Sequence, residues 1–196
     1  MTRLPQHMAT PPRLLPAMSR DWSMPSADTF TIPAIAKLLD RWLDGRKVIV
    51  DPFARNSRRG NITNDLNPKT AAQDHLPADL FAENLVARGV HADAVLLDPP
   101  YSPRQIKECY SGIGLNPTQA DTQLARLLAA VKDHLAQLMV AGGIAITFGW
   151  NSSGFGLARG FELLELLCVC HGGQHNDTII TVERKLETLF CERASA

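Results

Sequence analysis

Apolar positions along this chain follow two periods. Ile32, Ile35, Ala36, Leu39, Trp42 and Leu43 recur at helical spacing, and Gly45 stands where a helix C-cap would. Lys47-Val48-Ile49-Val50 then reads as a short buried strand closed by Asp51-Pro52, and Asn61-Ile62-Thr63 as a weak second strand ended by Asn64-Asp65. Pro77-Ala78-Asp79 opens a helix through Phe81 and Leu85 to Gly89, with proline at a first-turn position. Ala94-Val95-Leu96-Leu97 is the clearest buried strand. A long amphipathic helix follows Pro117-Thr118, marked by Leu124, Leu127, Leu128, Val131, Leu135, Leu138 and Met139. Gly142-Gly143 ends it and leads into the apolar strand Ile144–Phe148. Two further apolar segments, Phe161–Cys170 and Thr178–Val182, have no helix between them and predict a hairpin.

Strands that are apolar throughout and alternate with helices predict an α/β fold, a parallel sheet covered on both faces. Before this pattern, Pro5, Pro11, Pro12, Pro16 and Pro25 break any helical period, so residues 1–25 read as an extended arm and 26–196 as a single domain.

Composition narrows the class. A chain of 196 residues forms one core that buries roughly 70% of its unfolded surface. With 45% hydrophobic and 20% charged residues, a disordered chain is excluded. No apolar run reaches the ~18 residues of a membrane span, and no apolar h-region of a secretory signal follows the first basic residues. Four cysteines are too few for a disulfide scaffold, so a reduced, cytoplasmic setting is expected. Twenty basic and twenty acidic residues cancel, which argues against a generic basic coat for nucleic acid. The balance is uneven, however: residues 1–60 hold ten Lys/Arg against five Asp/Glu.

Ligands of open parallel sheets sit at the carboxyl ends of the strands. Here those ends carry Asp51-Pro52-Phe53-Ala54, Asn64-Asp65-Leu66, Asp98-Pro99-Pro100-Tyr101 and Phe148-Gly149-Trp150-Asn151. Asp98-Pro99-Pro100-Tyr101 is the sharpest of these. A carboxylate accepts hydrogen bonds and proline has no N–H, so the stretch presents acceptors without competing donors. That suits an amino group: Asp98 takes one hydrogen, the Pro99 carbonyl the other, and Tyr101 stacks on a planar ring. Asp51 and Asp65 also read as turn carboxylates, Asp79 as a first-turn residue favoured by the helix dipole, and Phe30 as a core aromatic. Cys168-Val169-Cys170-His171 and His175 lack the spacing of a structural zinc site, so no metal is expected.

Asp98-Pro99-Pro100-Tyr101 resembles the motif of S-adenosylmethionine-dependent amino-methyltransferases acting on nucleic-acid bases, in the aspartate form typical of adenine N6 methylation in DNA. The resemblance runs over about residues 28–185. It implies a Rossmann-like fold with a mostly parallel seven-stranded sheet, an antiparallel last strand and helices on both faces. It also implies S-adenosylmethionine as cofactor: Asp51, Pro52, Phe53 and Ala54 at its methionine, Asp65 with Leu66 at its ribose, and Asp79 with Ala78 and Leu80 at its adenine. Thr29, Phe30 and Thr31 resemble the motif that closes over the methionine end, and His175-Asn176-Asp177 resembles a stretch found in close members of the group. The family's first motif carries glycine soon after the phenylalanine; here the loop runs Ala54-Arg55-Asn56-Ser57-Arg58-Arg59-Gly60.

The reading that follows is transfer of a methyl group to the N6 amine of a flipped adenine in duplex DNA. Arg55, Arg58, Arg59, Arg104 and Lys107, in two loops from one sheet edge, are the expected phosphate contacts. RNA adenine, another base amine or a free nucleotide stays open as substrate. So does a cofactor-binding subunit without turnover of its own. At this length a second copy or a target-recognition partner is a natural complement.

Overall fold

The apolar run after His91 becomes the central strand β4 (Ala92–Leu97), with Ala94 to Leu97 fully buried. The computed structural model describes residues 15–115 and 124–187. Around β4 it builds one seven-stranded sheet from β1 (Ala17–Trp22), β2 (Ile49–Asp51), β3 (Ile62–Thr63), β5 (Met139–Gly149), β6 (Phe161–Cys170) and β7 (Thr178–Lys185). The order is β1-β6-β7-β5-β4-β2-β3. Every neighbouring pair is parallel except β5–β7 and β6–β7, so β7 alone runs against the sheet. This is the expected topology, with β6 and β7 as its hairpin.

Alternate residues of the central strands face two separate cores, as the period of two requires. Val95 and Leu97 pack with Phe81, Leu85, Val131 and Leu135 from α2 (Ala78–Ala87) and α4 (Leu124–Leu138). Ala94 and Leu96 pack with Ile35, Leu38 and Leu39 of α1 (Pro33–Leu43) and with Ile146, Phe148, Ile180 and Val182. Truncating a side chain such as Phe81 or Leu135 to alanine costs about 2–5 kcal/mol. The carboxyl end of α1 is anchored to β6: Arg41 donates to both oxygens of buried Glu165 at 2.7 and 2.8 Å, and Trp42 Nε1 donates to Oε2 at 2.8 Å.

Several boundaries differ from the sequence expectation. β2 begins at Ile49, because the N–H groups of Lys47 and Val48 donate to Asp93 Oδ2 at 3.0 and 2.9 Å. β5 begins at Met139, and its pairing jumps from Ala92–Met139 to Ala94–Ile144, so Gly142-Gly143 lie within the strand as an irregularity. Ala17–Trp22, inside the expected arm, forms the edge strand β1 on β6, with all six residues exposed. Residues 1–14, Pro117-Thr118 and 188–196 lie outside the described residues. A helix not anticipated, α3 (Pro103–Gly112), follows the Asp98 motif; Ser102 caps it by accepting from Gln105 N at 3.2 Å.

Candidate active site

Loops from the carboxyl ends of β2 to β6 enclose a cleft of about 1050 Å³. Pro52, Phe53 and Arg55 enter from β2, Asp65, Leu66 and Asn67 from β3, and Ala78 and Asp79 from the start of α2. Asp98, Pro99, Pro100 and Tyr101 enter from β4, Trp150 from β5, and His171, Gln174, His175, Asn176 and Thr178 from the β6–β7 turn. Thr29 borders it from a single 3₁₀ turn, Thr29–Thr31.

Asp98 forms part of the cleft wall where β4 gives way to two prolines. The Tyr101 hydroxyl donates to its Oδ1, and Thr29 adds a second side-chain hydrogen bond. Burial raises the Asp98 carboxyl above its ordinary value; the two hydroxyls and the positive charge of Arg55 oppose that rise. Burial and the neighbouring carboxylate also push the Tyr101 phenol up, so it stays a neutral donor. Its ring lies 5.7 Å from that of Trp150, and its N–H donates to Gln105 Oε1 at 2.6 Å, which ties the motif to α3.

Asp51 and Asp65, both expected at the cofactor, occupy different places. Asp51 is fully buried beneath the cleft: Oδ1 accepts from Phe53 N at 3.1 Å and Oδ2 has no hydrogen-bond partner. Burial, followed by the charges of Asp98 and Asp65, raises its carboxyl well above the usual range, with the Phe53 N–H pulling the other way. Gly60 is needed beside it, since a Cβ there would stand 2.9 Å from the Asp51 Cβ. Asp65 borders the cleft with Oδ2 accepting from Arg55 N at 3.1 Å and Oδ1 from Asn67 N at 2.9 Å. Arg55 holds φ at 50°, the left-handed region that favours glycine, at a cost of about 1–2 kcal/mol. The loop thus adopts a glycine-like bend without the glycine.

The remaining expected residues divide. Phe30 is buried against Phe148, ring centroids 5.0 Å apart, and with Ala54 it borders a smaller side cavity rather than the main cleft. Thr31 caps its own turn by donating to the Asp28 carbonyl at 2.7 Å, and Leu80 is exposed; neither lines the main cleft or the side cavity. Of the five basic residues, Arg55 alone lines the cleft. Arg59 is ion-paired with Asp40, Arg104 with Glu108 at 2.8 Å, and Arg58 and Lys107 are exposed.

The sequence reading named Asn64 only as part of a strand end and His171 only beside a rejected zinc site, and gave neither its place in the cleft. Asn64, 1% exposed, donates from Nδ2 to the carbonyls of Pro52 (3.1 Å) and Leu76 (3.0 Å) and accepts from Leu76 N at 2.9 Å, joining two walls of the cleft. His171 sits 2.8 Å from both the Ser23 carbonyl and the Thr178 hydroxyl. A carbonyl only accepts, so Nδ1 carries a proton toward Ser23, while Nε2 pairs with the Thr178 hydroxyl. The available signal was Gly172-Gly173, both at positive φ, which mark a tight β6–β7 turn aimed at the cleft. Beside that turn, Cys168 and Cys170 Sγ lie 3.8 Å apart, and Asp177 Oδ2 lies 4.0 Å from Cys168. This is the one group of three metal-type donors among the described residues, and Arg20 Nε already donates to Cys170 Sγ at 2.9 Å.

Neither models of protein families nor curated proteins gave a match to the chain. Solved structures did. The fold is similar to that of NSun6 from Pyrococcus horikoshii, solved with SFG, at 15% identity and a TM-score of 0.53; the match covers 77% of this chain and 51% of that one. The chain therefore spans about half the length of that relative. TrmN from Thermus thermophilus matches at 19% identity with a TM-score of 0.47, over 79% of this chain and 49% of that one. A methyltransferase homolog from Pyrococcus horikoshii matches at 14% identity with a TM-score of 0.42, over 89% and 63%. The fold is methyltransferase-like. Among the described residues no helix is long and apolar enough to cross a membrane.

Proposed function

We propose that the protein is an S-adenosylmethionine-dependent methyltransferase that modifies an exocyclic amine, the N6 amine of a flipped adenine in DNA. The observation that carries this reading is Asp98: a carboxylate on the cleft wall, braced by Tyr101 and followed by two residues without N–H groups. The donor sets around the cleft fit the cofactor. Asp65 and Asp79 supply acceptors for hydroxyl and amine hydrogens, Leu66 and Phe53 supply apolar walls, and Arg55 supplies a cation. When bound, S-adenosylmethionine contributes a methyl group already activated on a sulfonium.

The chain's own residues supply orientation and desolvation. Hydrogen bonds from Tyr101 and Thr29 fix the Asp98 carboxylate, which keeps acceptor capacity for an N–H of the substrate. The Pro99 carbonyl takes the second hydrogen, drawing the nitrogen toward tetrahedral geometry. Burial raises the basicity of Asp98, so it accepts that hydrogen more strongly than an exposed carboxylate does. Tyr101 and Trp150, tilted 60° to one another, offer faces for a base removed from its stack.

The test is methyl transfer from labelled cofactor onto unmethylated duplex DNA, RNA and free nucleotides in parallel, followed by nucleoside analysis. Labelled N6-methyladenine from the DNA arm supports the reading. Label on another base or only in RNA overturns the substrate, and no label in any arm overturns the activity.

A further inference from the structure

Cys168 and Cys170 alternate along β6, so both side chains leave the sheet on the face opposite Leu167 and Val169, which lie in the core. Both are free thiols, Cys170 buried and Cys168 half-buried, with Sγ atoms 3.8 Å apart. Thiolates bound at about 2.3 Å to a tetrahedral zinc ion stand about 3.8 Å from one another, so the strand already holds the pair at the spacing of a coordination edge. Their Cys-x-Cys spacing departs from that of zinc sites built on turns, because here the alternation of a strand brings the sulfurs together. Asp177, exposed just before β7, supplies a third donor: its Oδ2 lies 4.0 Å from Cys168 Sγ, and the three ligand atoms fall within 4.8 Å of one another. Its Oδ1 accepts from His171 N at 3.1 Å, which orients the carboxylate as the partners behind metal ligands do. Arg20 completes the charge. Two thiolates and a carboxylate carry three negative charges, and a divalent cation removes two of them. The Arg20 guanidinium, donating to Cys170 Sγ at 2.9 Å from the neighbouring strand β1, offsets the last.

We propose that Cys168, Cys170 and Asp177 bind one thiophilic divalent cation, zinc by its geometry, with solvent in the fourth position and Arg20 behind Cys170. The cation ties the end of β6 to the residue before β7 and so fixes the turn between them, which brings His171, Gln174, His175 and Asn176 to the cleft. The site needs nothing from the methyl-donor reading.

Reduced, metal-free protein titrated with cobalt(II) by absorption and with zinc by calorimetry tests it. A single equivalent of cobalt should raise a thiolate charge-transfer band that a single equivalent of zinc abolishes, and zinc should raise Tm. Cys168→Ser should at least halve the band and remove the zinc-dependent rise in Tm, whereas Cys109→Ser, at a thiol on α3, should change neither. Asp177→Asn keeps the oxygen that accepts from His171 N but loses the anionic ligand, so it should retain the band and weaken zinc about tenfold or more. Metal-free variants that unfold as the wild type does show that these losses belong to the ligands and not to the fold. The site is overturned by a wild-type protein that takes up no stoichiometric zinc, by zinc affinity unchanged in Cys168→Ser or Asp177→Asn, or by a band lost in Cys109→Ser. Each of those results leaves the methyl-donor reading standing.

Discussion

Replacing Asn64 by alanine removes three hydrogen bonds at once: two donated by Nδ2 to the carbonyls of Pro52 and Leu76, and one accepted from the Leu76 N–H. At about 1 kcal/mol each the loss is about 3 kcal/mol, more if the stranded carbonyls stay dry. For a domain of this size that lowers Tm by about 6–12 °C. Asn64→Asp is the sharper variant. It keeps the acceptor toward Leu76 N–H but turns the donor into an acceptor facing two carbonyls, so at neutral pH it should cost more than alanine. Urea unfolding is the assay, with m unchanged to show that the unfolded state is the same. Because Asn64 joins the Pro52 and Leu76–Ala78 walls, affinity for S-adenosylhomocysteine should fall with stability. A loss below about 1 kcal/mol for alanine, or an aspartate variant as stable as the original, would refute the bracing role.

Asp98→Ala should abolish methyl transfer while leaving S-adenosylhomocysteine affinity and the unfolding curve nearly unchanged; near-normal turnover would remove Asp98 from the mechanism. Asp51→Asn should become stabilising relative to wild type as pH rises. The folded-state carboxyl of Asp51 is raised, so its burial is tolerated below the unfolded value of about 3.9 and stability is lost as pH climbs from there through the folded value. Thermal scans at acid and alkaline pH check this, and a difference independent of pH would contradict it. With DNA as the proposed substrate, Arg58→Ala should flatten the salt dependence of binding by about one unit, whereas replacing Arg59, already paired with Asp40, by alanine should change it little; the salt slopes of the two variants decide.

What could be read ahead of the structure was whatever rests on local pattern. The apolar run of β4 and the two prolines after Asp98 are contiguous, so strand, stop and acceptor pair are visible together. α3 was missed because Ile106 is its one buried residue, and a helix that turns nearly all of itself to solvent has no apolar stripe. β1 was missed for a related reason: six exposed residues at a sheet edge carry no burial signal, and the prolines around them pointed to an arm. Partners distant in sequence were out of reach as well. Arg59 meeting Asp40, and Asn64 spanning from Pro52 to Leu76, follow from how loops fold back, which periodicity does not encode. The left-handed backbone of Arg55 belongs here too, because an arginine gives no hint of a bend usually reserved for glycine.

The position of β7 between β5 and β6 sets a timetable for biosynthesis. A chain leaving the ribosome amino end first has made every other described strand before Thr178–Lys185 exists. Until then β1 and β6 have no hydrogen-bonded route to the rest of the sheet, and the His171–Thr178 wall cannot be fixed in place. At roughly 5–20 residues per second the unjoined halves stay apart for a second or more, with the inner edges of β5 and β6 bare. Insertion of one late strand then zips both edges together, so the His171–Thr178 wall of the cleft is completed in a single closing step.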